Sequence, residues 1–251
     1  MQLVQFVRDS FALLFPELCI GCKQVLVYQE NHLCTNCIYN LPETNFHLDP
    51  DNLAGKQLKG RVPVLNVSSF LYFSSGSIVQ RIIHHIKYKD GFAAAEWLGE
   101  LYGQQLKNSI LFPSNLTPSN LTEPLDKSSV FSDCQIIIPV PLHKKRLRSR
   151  GYNQSDYLAK GISKALGIET DFNNLVRTAH NESQTKSTNR FERFENIHGI
   201  FKVNNPELLE NKHILLVDDV LTTGATLEAC CIALLQIPNV KVSVATLAFV
   251  K

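Results

Sequence analysis

The chain has 251 residues and a mass of 28.2 kDa, enough for one medium domain with a small appendage or for one large domain. Its composition, 44% hydrophobic and 19% charged, excludes the disordered and fibrous classes. The formal net charge is only +2, so any contact with nucleic acid would require a local basic surface.

The sequence indicates neither a membrane span nor a secretory signal. No apolar run reaches the ~18 residues that a membrane-spanning helix needs. The N-terminus reads MQLVQFVRDSFALLFPELC; it has no basic region ahead of its apolar residues, and Arg8 and Asp9 interrupt them. We therefore expect a cytoplasmic protein.

Residues 1–42 form a first unit, in which a predicted N-terminal helix precedes two cysteine pairs. Cys19 and Cys22 are separated by eleven residues from Cys34 and Cys37. Four thiolates in two such pairs are typical of a structural zinc site. A redox-active pair would explain one CxxC but not two, and an iron–sulfur cluster is the other alternative. The spacing favours a small zinc module with a role in folding or contacts.

A linker and then a larger domain are predicted to follow the cysteine unit. Residues 43–63 are polar and are interrupted at Pro50, Gly55, Gly60 and Pro63, so they are interpreted as the linker. Residues 64–251 form the larger domain. Within it, residues 108–134 contain the tandem repeat SNLTP–SNLTE and three prolines, which predicts a mobile surface insertion.

In the larger domain, predicted strands alternate with predicted helices. A strand over 65–73 precedes two amphipathic helices; the strand QIIIPV, a helix over 151–166, the strand HILLVDD, a helix over 223–236 and the strand VKVSVATLAFV follow. Continuous apolar strands between amphipathic helices are typical of a parallel sheet covered on both faces. Ligands bind such sheets beyond the carboxyl ends of the strands.

The most specific segment is HILLVDDVLTTGATLEAC. Asp218 and Asp219 end the strand, and Thr222–Thr226 open the next helix. A glycine turn at a helix N-terminus lets backbone N–H groups approach a phosphate, and threonine hydroxyls add hydrogen bonds. The two carboxylates suit a sugar diol or a cation. An ordinary strand end with a threonine N-cap would explain the acid pair or the threonine–glycine turn taken alone. The combination of the two favours a binding site for a phosphorylated sugar.

A basic run follows the strand QIIIPV. Six basic residues lie within eight positions: His143, Lys144, Lys145, Arg146, Arg148 and Arg150. Pro139 and Pro141 end the strand, so the run is predicted to begin as a loop. Cations opposite a phosphate cradle suit a pyrophosphate, which arginine binds in a bidentate way. The alternative is a solvated basic loop or a nucleic-acid patch. Five cations also exceed the need of one pyrophosphate, so the remaining ones could contact DNA phosphates.

The segment DDVLTTGAT resembles the phosphoribosyl pyrophosphate (PRPP) motif of type I phosphoribosyltransferases. By this resemblance, Asp218 and Asp219 hold the ribose hydroxyls. The cradle of the 5′-phosphate would consist of Thr222, Thr223, Gly224, Ala225 and Thr226. The resemblance implies a type I phosphoribosyltransferase fold, an α/β architecture with a parallel sheet, preceded here by the small zinc module.

The segments PVPLHKKRLRSRGYNQ and IIHHIKYKDG, together with the cysteine unit, resemble the ComF family, in particular its ComFC-type competence proteins and their GntX-type relatives. The segment QTKSTNRFERFENIHGIF resembles the family's flexible loop, which folds over the ligand. By that match, the loop would include Gln184, Thr185, Arg193 and Asn196.

The resemblance implies PRPP as a ligand, Mg²⁺ bound with PRPP, and structural Zn²⁺. Two functions from different classes follow from it. One is a phosphoribosyltransferase enzyme, whose reaction requires no covalent nucleophile from the protein. The other is a non-catalytic module in natural competence, which senses PRPP or handles incoming single-stranded DNA beside a helicase-like partner.

Overall fold

The structure is a computed structural model that describes residues 16–88, 91–108, 130–178 and 199–251. The predicted N-terminal helix and most of the 108–134 insertion lie outside these residues. Within the described part of the chain, no helix is both long and apolar enough to cross a membrane.

Six strands form two sheets in the described part of the chain. The strands are β1 Val67–Phe73, β2 Ile136–Pro139, β3 Leu175–Arg177, β4 Phe201–Val203, β5 His213–Leu221 and β6 Lys241–Val250. Four of them form a parallel sheet in the order β1-β6-β5-β2, while β3 and β4 form an antiparallel pair. Val217 pairs with Pro139 on one side and Ala245 on the other, so β2 and β5 end at the same edge. The predicted parallel sheet is confirmed.

Helices cover both faces of the parallel sheet. The described residues form α1 Thr35–Tyr39, α2 Leu53–Lys59, α3 Ile78–Lys87, α4 Phe92–Lys107, α5 Lys144–Arg150, α6 Gln154–Leu166 and α7 Ala225–Leu235. Successive strand residues point to opposite faces. Leu215 and Val217 therefore pack with α3, α4 and α6, whereas Ile214 and Leu216 pack with α2, α7 and the β3–β4 pair.

A close contact between α4 and α6 fixes the position of α6. A side chain at Gly99 would collide with the carbonyl oxygen of Leu158, and one at Gly161 would collide with that of Glu96. The two backbones therefore approach each other as only glycines permit. Because α6 begins beside the carboxyl ends of β2 and β5, this packing also fixes the side chains of its first turn.

Residues 43–63 do not form the linker that the sequence indicates; they fold onto the domain. They contain a 3₁₀ turn, Phe46–Leu48, and helix α2, in which Ala54 and Leu58 are fully buried. The Phe46 ring also packs edge-on against Phe249 of β6. The glycines and prolines of this segment suggest a linker, but the segment contains a two-turn helix. Asn52 caps this helix by accepting a hydrogen bond from the Gly55 amide.

Candidate functional site

A cleft of about 200 Å³ lies beyond the carboxyl ends of β2 and β5. Of the residues predicted from sequence, it brings together both acids, two threonines of the glycine turn and two arginines of the basic run. Its charged and polar lining residues are Lys87, Arg146, Arg150, Gln154, Ser155, Arg177, Asp218, Asp219, Thr222 and Thr226. Acidic and basic groups thus converge at the edge where parallel sheets bind ligands.

A larger cavity, of about 610 Å³, lies between the β3–β4 pair and the end of α7. Its two charged lining residues, Lys202 and Glu210, are exposed, and the rest of its lining is polar or apolar. A binding site is better recognised by convergent charged groups than by volume. The smaller cleft is therefore the candidate site.

The two carboxylates of the cleft have different partners. Asp219 is buried, and its Oδ2 accepts a hydrogen bond from Gln154 Nε2 at 2.8 Å and lies 2.9 Å from Lys87 Nζ. Asp218 Oδ1 accepts hydrogen bonds from Ser155 Oγ at 3.0 Å and from the Asp219 amide at 2.8 Å. Helix α6 thus contributes one neutral donor to each acid.

Burial and the neighbouring Asp219 carboxylate raise the pKa of Asp218 to about 7. Both effects disfavour the ionised form, since desolvation and a nearby like charge each destabilise a carboxylate. Asp218 therefore titrates near neutral pH, and the charge of the pair depends on the cations around it. Strongly perturbed acids in a cleft are typical of functional sites.

The predicted phosphate cradle is a tight turn between β5 and α7. Gly224 adopts a positive φ of 79° directly before the helix, a conformation that favours glycine. A side chain there would also lie 2.9 Å from Leu58 Cδ2. The amide groups that open α7 follow this turn, and such groups provide an anion site.

Helix α2 and Arg61, the second residue after its end, contact the turn from outside. The Gln57 amide donates to the Thr222 carbonyl, and Arg61 Nη1 donates to the Thr223 carbonyl at 2.8 Å. Arg61 also lies 3.4 Å from Glu228 of α7. The segment predicted as a linker therefore positions the turn that is the predicted phosphate cradle.

The basic run is a helix and not the predicted loop. The His143 side chain accepts a hydrogen bond from the Lys145 amide at the start of α5, and Gly151 ends the helix with φ of 81°. The two prolines that end β2 precede the helix and are compatible with it.

The helical spacing divides the cations of α5 into those that line the cleft and those that do not. Arg146 and Arg150, four residues apart on one face, line the cleft. The other predicted cations, Lys144, Lys145 and Arg148, lie on the exposed surface of α5 and do not line the cleft.

Four charged or polar residues of the cleft were not identified from the sequence: Lys87, Gln154, Ser155 and Arg177. Gln154 follows Asn153 in the quoted segment GYNQ, and Lys87 lies in IKYKDG, so the family resemblance contained a signal for both. Arg177 lies at the end of β3, where no local motif marks it.

Burial, and next the nearby Arg146 guanidinium, lower the pKa of Arg177. Two close guanidiniums indicate an anion subsite.

The flexible loop predicted to fold over the ligand, with Gln184, Thr185, Arg193 and Asn196, lies outside the described residues.

The four predicted zinc ligands form one cluster. The sulfurs of Cys19, Cys22, Cys34 and Cys37 all lie within 4.8 Å of one another, and the Cys22 and Cys34 sulfurs are 3.6 Å apart. Zn–S bonds of about 2.3 Å in a tetrahedron place sulfurs about 3.8 Å apart. The cluster could therefore hold a zinc ion. Burial, followed by hydrogen bonds with the other thiols, raises the pKa of Cys37, and a bound cation would favour its thiolate.

The cysteine cluster packs directly on α3. Cys19 and Cys37 belong to the same hydrophobic cluster as Val79 of that helix, and Arg81 Nε donates to the Gly21 carbonyl at 2.5 Å. The opposite end of α3 carries Lys87, which lies in the cleft. One helix therefore connects the candidate metal site with the candidate ligand site.

Comparison with known proteins identifies a phosphoribosyl transferase domain over residues 153–251. The DNA utilization protein YhgH of Escherichia coli O157:H7 is 37% identical over 90 residues, which are 36% of this chain and 38% of that protein. Competence protein F of Haemophilus influenzae is 35% identical over 94 residues, 37% and 41% of the two chains. Competence protein ComFC of Bacillus subtilis is 34% identical over 116 residues, 44% and 45% of the two chains.

Each match spans less than half of the curated relative's own length. Among solved structures, the allosteric regulatory enzyme of purine biosynthesis is 16% identical with a TM-score of 0.40, covering 64% of this chain and 30% of that one. The adenine phosphoribosyltransferase of Leishmania tarentolae is 12% identical with a TM-score of 0.34, covering 84% and 94%.

The matched domain begins at Asn153, the N-cap of α6, and so includes both acids and the phosphate cradle. The resemblance and the fold predicted from the sequence are confirmed: the chain is similar to competence and DNA utilization proteins, contains a phosphoribosyl transferase domain over residues 153–251, and has a type I phosphoribosyltransferase fold with a parallel sheet.

Proposed function

We propose that the protein binds PRPP in the cleft between β2, β5 and α5. The observation that carries this proposal is the convergence of three kinds of groups in one cleft: the turn at Thr222–Thr226, two acids, and four cations, Lys87, Arg146, Arg150 and Arg177. A 5′-phosphate, a ribose diol and a pyrophosphate require these three kinds of groups.

Each part of PRPP has a partner in this proposal. The 5′-phosphate accepts hydrogen bonds from the turn around Gly224 and from the helix N-terminus behind it. The ribose hydroxyls donate to Asp218 and Asp219. The pyrophosphate meets Arg146 and Arg150, whose guanidiniums bind phosphate oxygens in a bidentate way.

Mg²⁺ would enter with PRPP on its pyrophosphate oxygens, where it neutralises charge on the leaving group. The excess of cations over acids in the described part of the cleft fits such a charged ligand. If transfer occurs, its oxocarbenium-like transition state requires charge stabilisation and exclusion of water. These groups can supply the stabilisation without a covalent nucleophile.

The biological role that we propose is in natural competence, in the uptake and use of DNA inside the cytoplasm. The names of the competence protein and DNA utilization relatives support this role. Within it, PRPP is either the substrate of a phosphoribosyltransferase or a ligand that a non-catalytic module senses. A helicase-like competence protein is the partner expected from the family resemblance.

A second candidate function, contact with single-stranded DNA, is favoured by a surface of rings and cations beside the cleft. Arg150 lies 5.3 Å from the centre of the Tyr88 ring, and Lys160 Nζ lies 4.4 Å from the centre of the Tyr157 ring. Phe92, which is exposed, packs against Tyr157. Aromatic rings that alternate with cations are the usual platform for stacked bases.

A ligand panel tests the proposed function. Purified protein is titrated with PRPP and Mg²⁺, with PRPP alone, and with ribose 5-phosphate and pyrophosphate separately, and candidate acceptors are then added with product detection. Binding with turnover supports the enzyme, and binding without turnover supports the sensing module. No binding of PRPP to folded, zinc-loaded protein would contradict both.

A further inference from the structure

We propose that Lys87 is a positioning residue: it acts through Asp219, which it holds together with Gln154, and so sets the charge and orientation of the acid pair that faces the ligand. This inference rests on the proposed function of the cleft as a PRPP site. It adds a residue from α3, outside the matched domain, to the machinery of that site.

Lys87 and Gln154 hold Asp219 between them, an arrangement called the clamp below. Lys87 Nζ and Gln154 Nε2 both contact the same atom, Asp219 Oδ2, at 2.9 and 2.8 Å. The Asp219 side chain is 9% exposed and that of Lys87 is 24% exposed, so water screens their interaction less than it would on the surface. With Oδ2 held in this way, Oδ1 is the oxygen left to meet a ribose hydroxyl.

Further hydrogen bonds fix the positions of Gln154 and Lys87, the two partners of Asp219. Arg150 Nη1 donates to Gln154 Oε1 at 2.8 Å, which turns the amide so that its NH₂ group faces Asp219. The Tyr152 hydroxyl donates to the Ile86 carbonyl at 2.7 Å and fixes the backbone next to Lys87. The clamp is therefore built from three elements, and its geometry does not depend on one mobile side chain.

The charge balance of the pair explains why a lysine is needed. The neutral donors Gln154 and Ser155 do not compensate two adjacent carboxylates, of which that of Asp219 is buried. The charged and titratable groups of the surrounding elements are Lys87 of α3, Arg146 and Arg150 of α5, Arg177 of β3 and Cys230 of α7. Among these groups, Lys87 forms an ion pair with Asp219. The Lys87 charge lowers the pKa of Asp218, opposing burial and Asp219, which raise it.

The first test needs no ligand. Carboxyl-carbon NMR of aspartate-labelled protein follows the titration of Asp218, which is assigned by its loss in Asp218→Asn. Because the Lys87 charge lowers the pKa of Asp218, Lys87→Met should raise the Asp218 midpoint. Lys87→Arg should restore it. The matched control is Lys164→Met, because Lys164 pairs with Glu96 and Glu100 on an exposed face.

The second test measures PRPP affinity against pH. Lys87→Met should lose affinity at pH 7 and recover part of it as the pH rises, whereas Lys87→Arg should follow the wild type. An Asp218 midpoint that does not move in Lys87→Met would overturn the inference, and so would a midpoint that Arg does not restore. If wild-type protein binds no PRPP at any pH, the proposed function fails, while the ligand-free titration still decides the role of Lys87.

Discussion

The side chain of Leu58 packs against Gly224, so that a methyl group on Gly224 would lie 2.9 Å from Leu58 Cδ2. Leu58 is fully buried in α2, and Gly224 is the middle residue of the predicted phosphate cradle. The cradle is therefore shaped by two constraints at one residue: a positive φ and a close neighbour.

Replacing Gly224 with alanine should destabilise the protein by about 1–2 kcal/mol and weaken PRPP binding. The reason is the strain of a non-glycine residue at φ of 79°, added to the clash with Leu58. Urea unfolding and calorimetry measure the two effects. Gly60→Ala is the control, because Gly60 has a negative φ and its Cβ would meet nothing within 4 Å. Equal stability of the two variants would contradict this description of the turn.

We expect one zinc ion per chain, held by the four-cysteine cluster. Cys37→Ser should lose the metal and lower the unfolding temperature, because structural zinc contributes folding energy and the cluster shares its core with α3. Cys134→Ser should keep the metal, since Cys134 is equally buried but lies outside the cluster. Elemental analysis decides this: iron, or no metal, in the wild type would disprove the zinc site.

The acid pair and the glycine turn could be predicted because all their residues are contiguous and follow one apolar strand. The family resemblance was predictable because its motifs are contiguous segments, and the parallel sheet was predictable because strand and helix patterns are local. Arg177 was not predictable, because it reaches the cleft from β3 through tertiary packing and no local motif marks it. For Lys87 the segment IKYKDG gave a signal, but only the packing of α3 shows that its side chain lies in the cleft.

Two local structures were hidden by glycines and prolines. The helix that contains Leu58 was interpreted as a linker, although its buried face braces the phosphate cradle. The basic run was interpreted as a loop after Pro141, and only its helical spacing separates Arg146 and Arg150 from the cations that do not line the cleft. The rings beside the cleft come from α3, α4 and α6, so no single segment shows their alternation with cations.

Neutralising the exposed cations of α5 should separate DNA contact from PRPP binding. In a triple variant with methionine at Lys144, Lys145 and Arg148, PRPP affinity should stay close to that of the wild type, because none of the three lines the cleft. If these cations meet DNA phosphates, the salt slope for single strands should fall by roughly 0.7 for each one. Titrations at several salt concentrations measure this.

The comparison variant for that experiment is Arg146→Met, which should lose PRPP affinity. A triple variant that loses PRPP binding as severely would show that the exposed face of α5 contributes to the ligand site. Wild-type protein without DNA affinity at low salt would remove the second candidate function.

Asp218→Asn should stabilise the ligand-free protein at pH 8. Because burial and Asp219 raise the pKa of Asp218 to about 7, the folded state binds its proton more tightly than the unfolded state does. The wild type therefore loses stability as the pH rises from about 4 to 7, and the neutral variant does not lose this part. Urea unfolding should show a small difference near pH 4 and the largest above pH 7. A variant that is less stable than the wild type at pH 8 would contradict the assignment.

The most direct test of a PRPP site is calorimetry with PRPP and Mg²⁺ on the wild type and on the double variant Asp218→Asn, Asp219→Asn. We predict one PRPP per wild-type chain, and affinity lower by about tenfold or more in the double variant, because hydrogen bonds to charged groups contribute roughly 1.5–3 kcal/mol each. Asp51→Asn, at an exposed position, should bind like the wild type. Unchanged affinity in a folded double variant, or no binding to the wild type, would contradict the account.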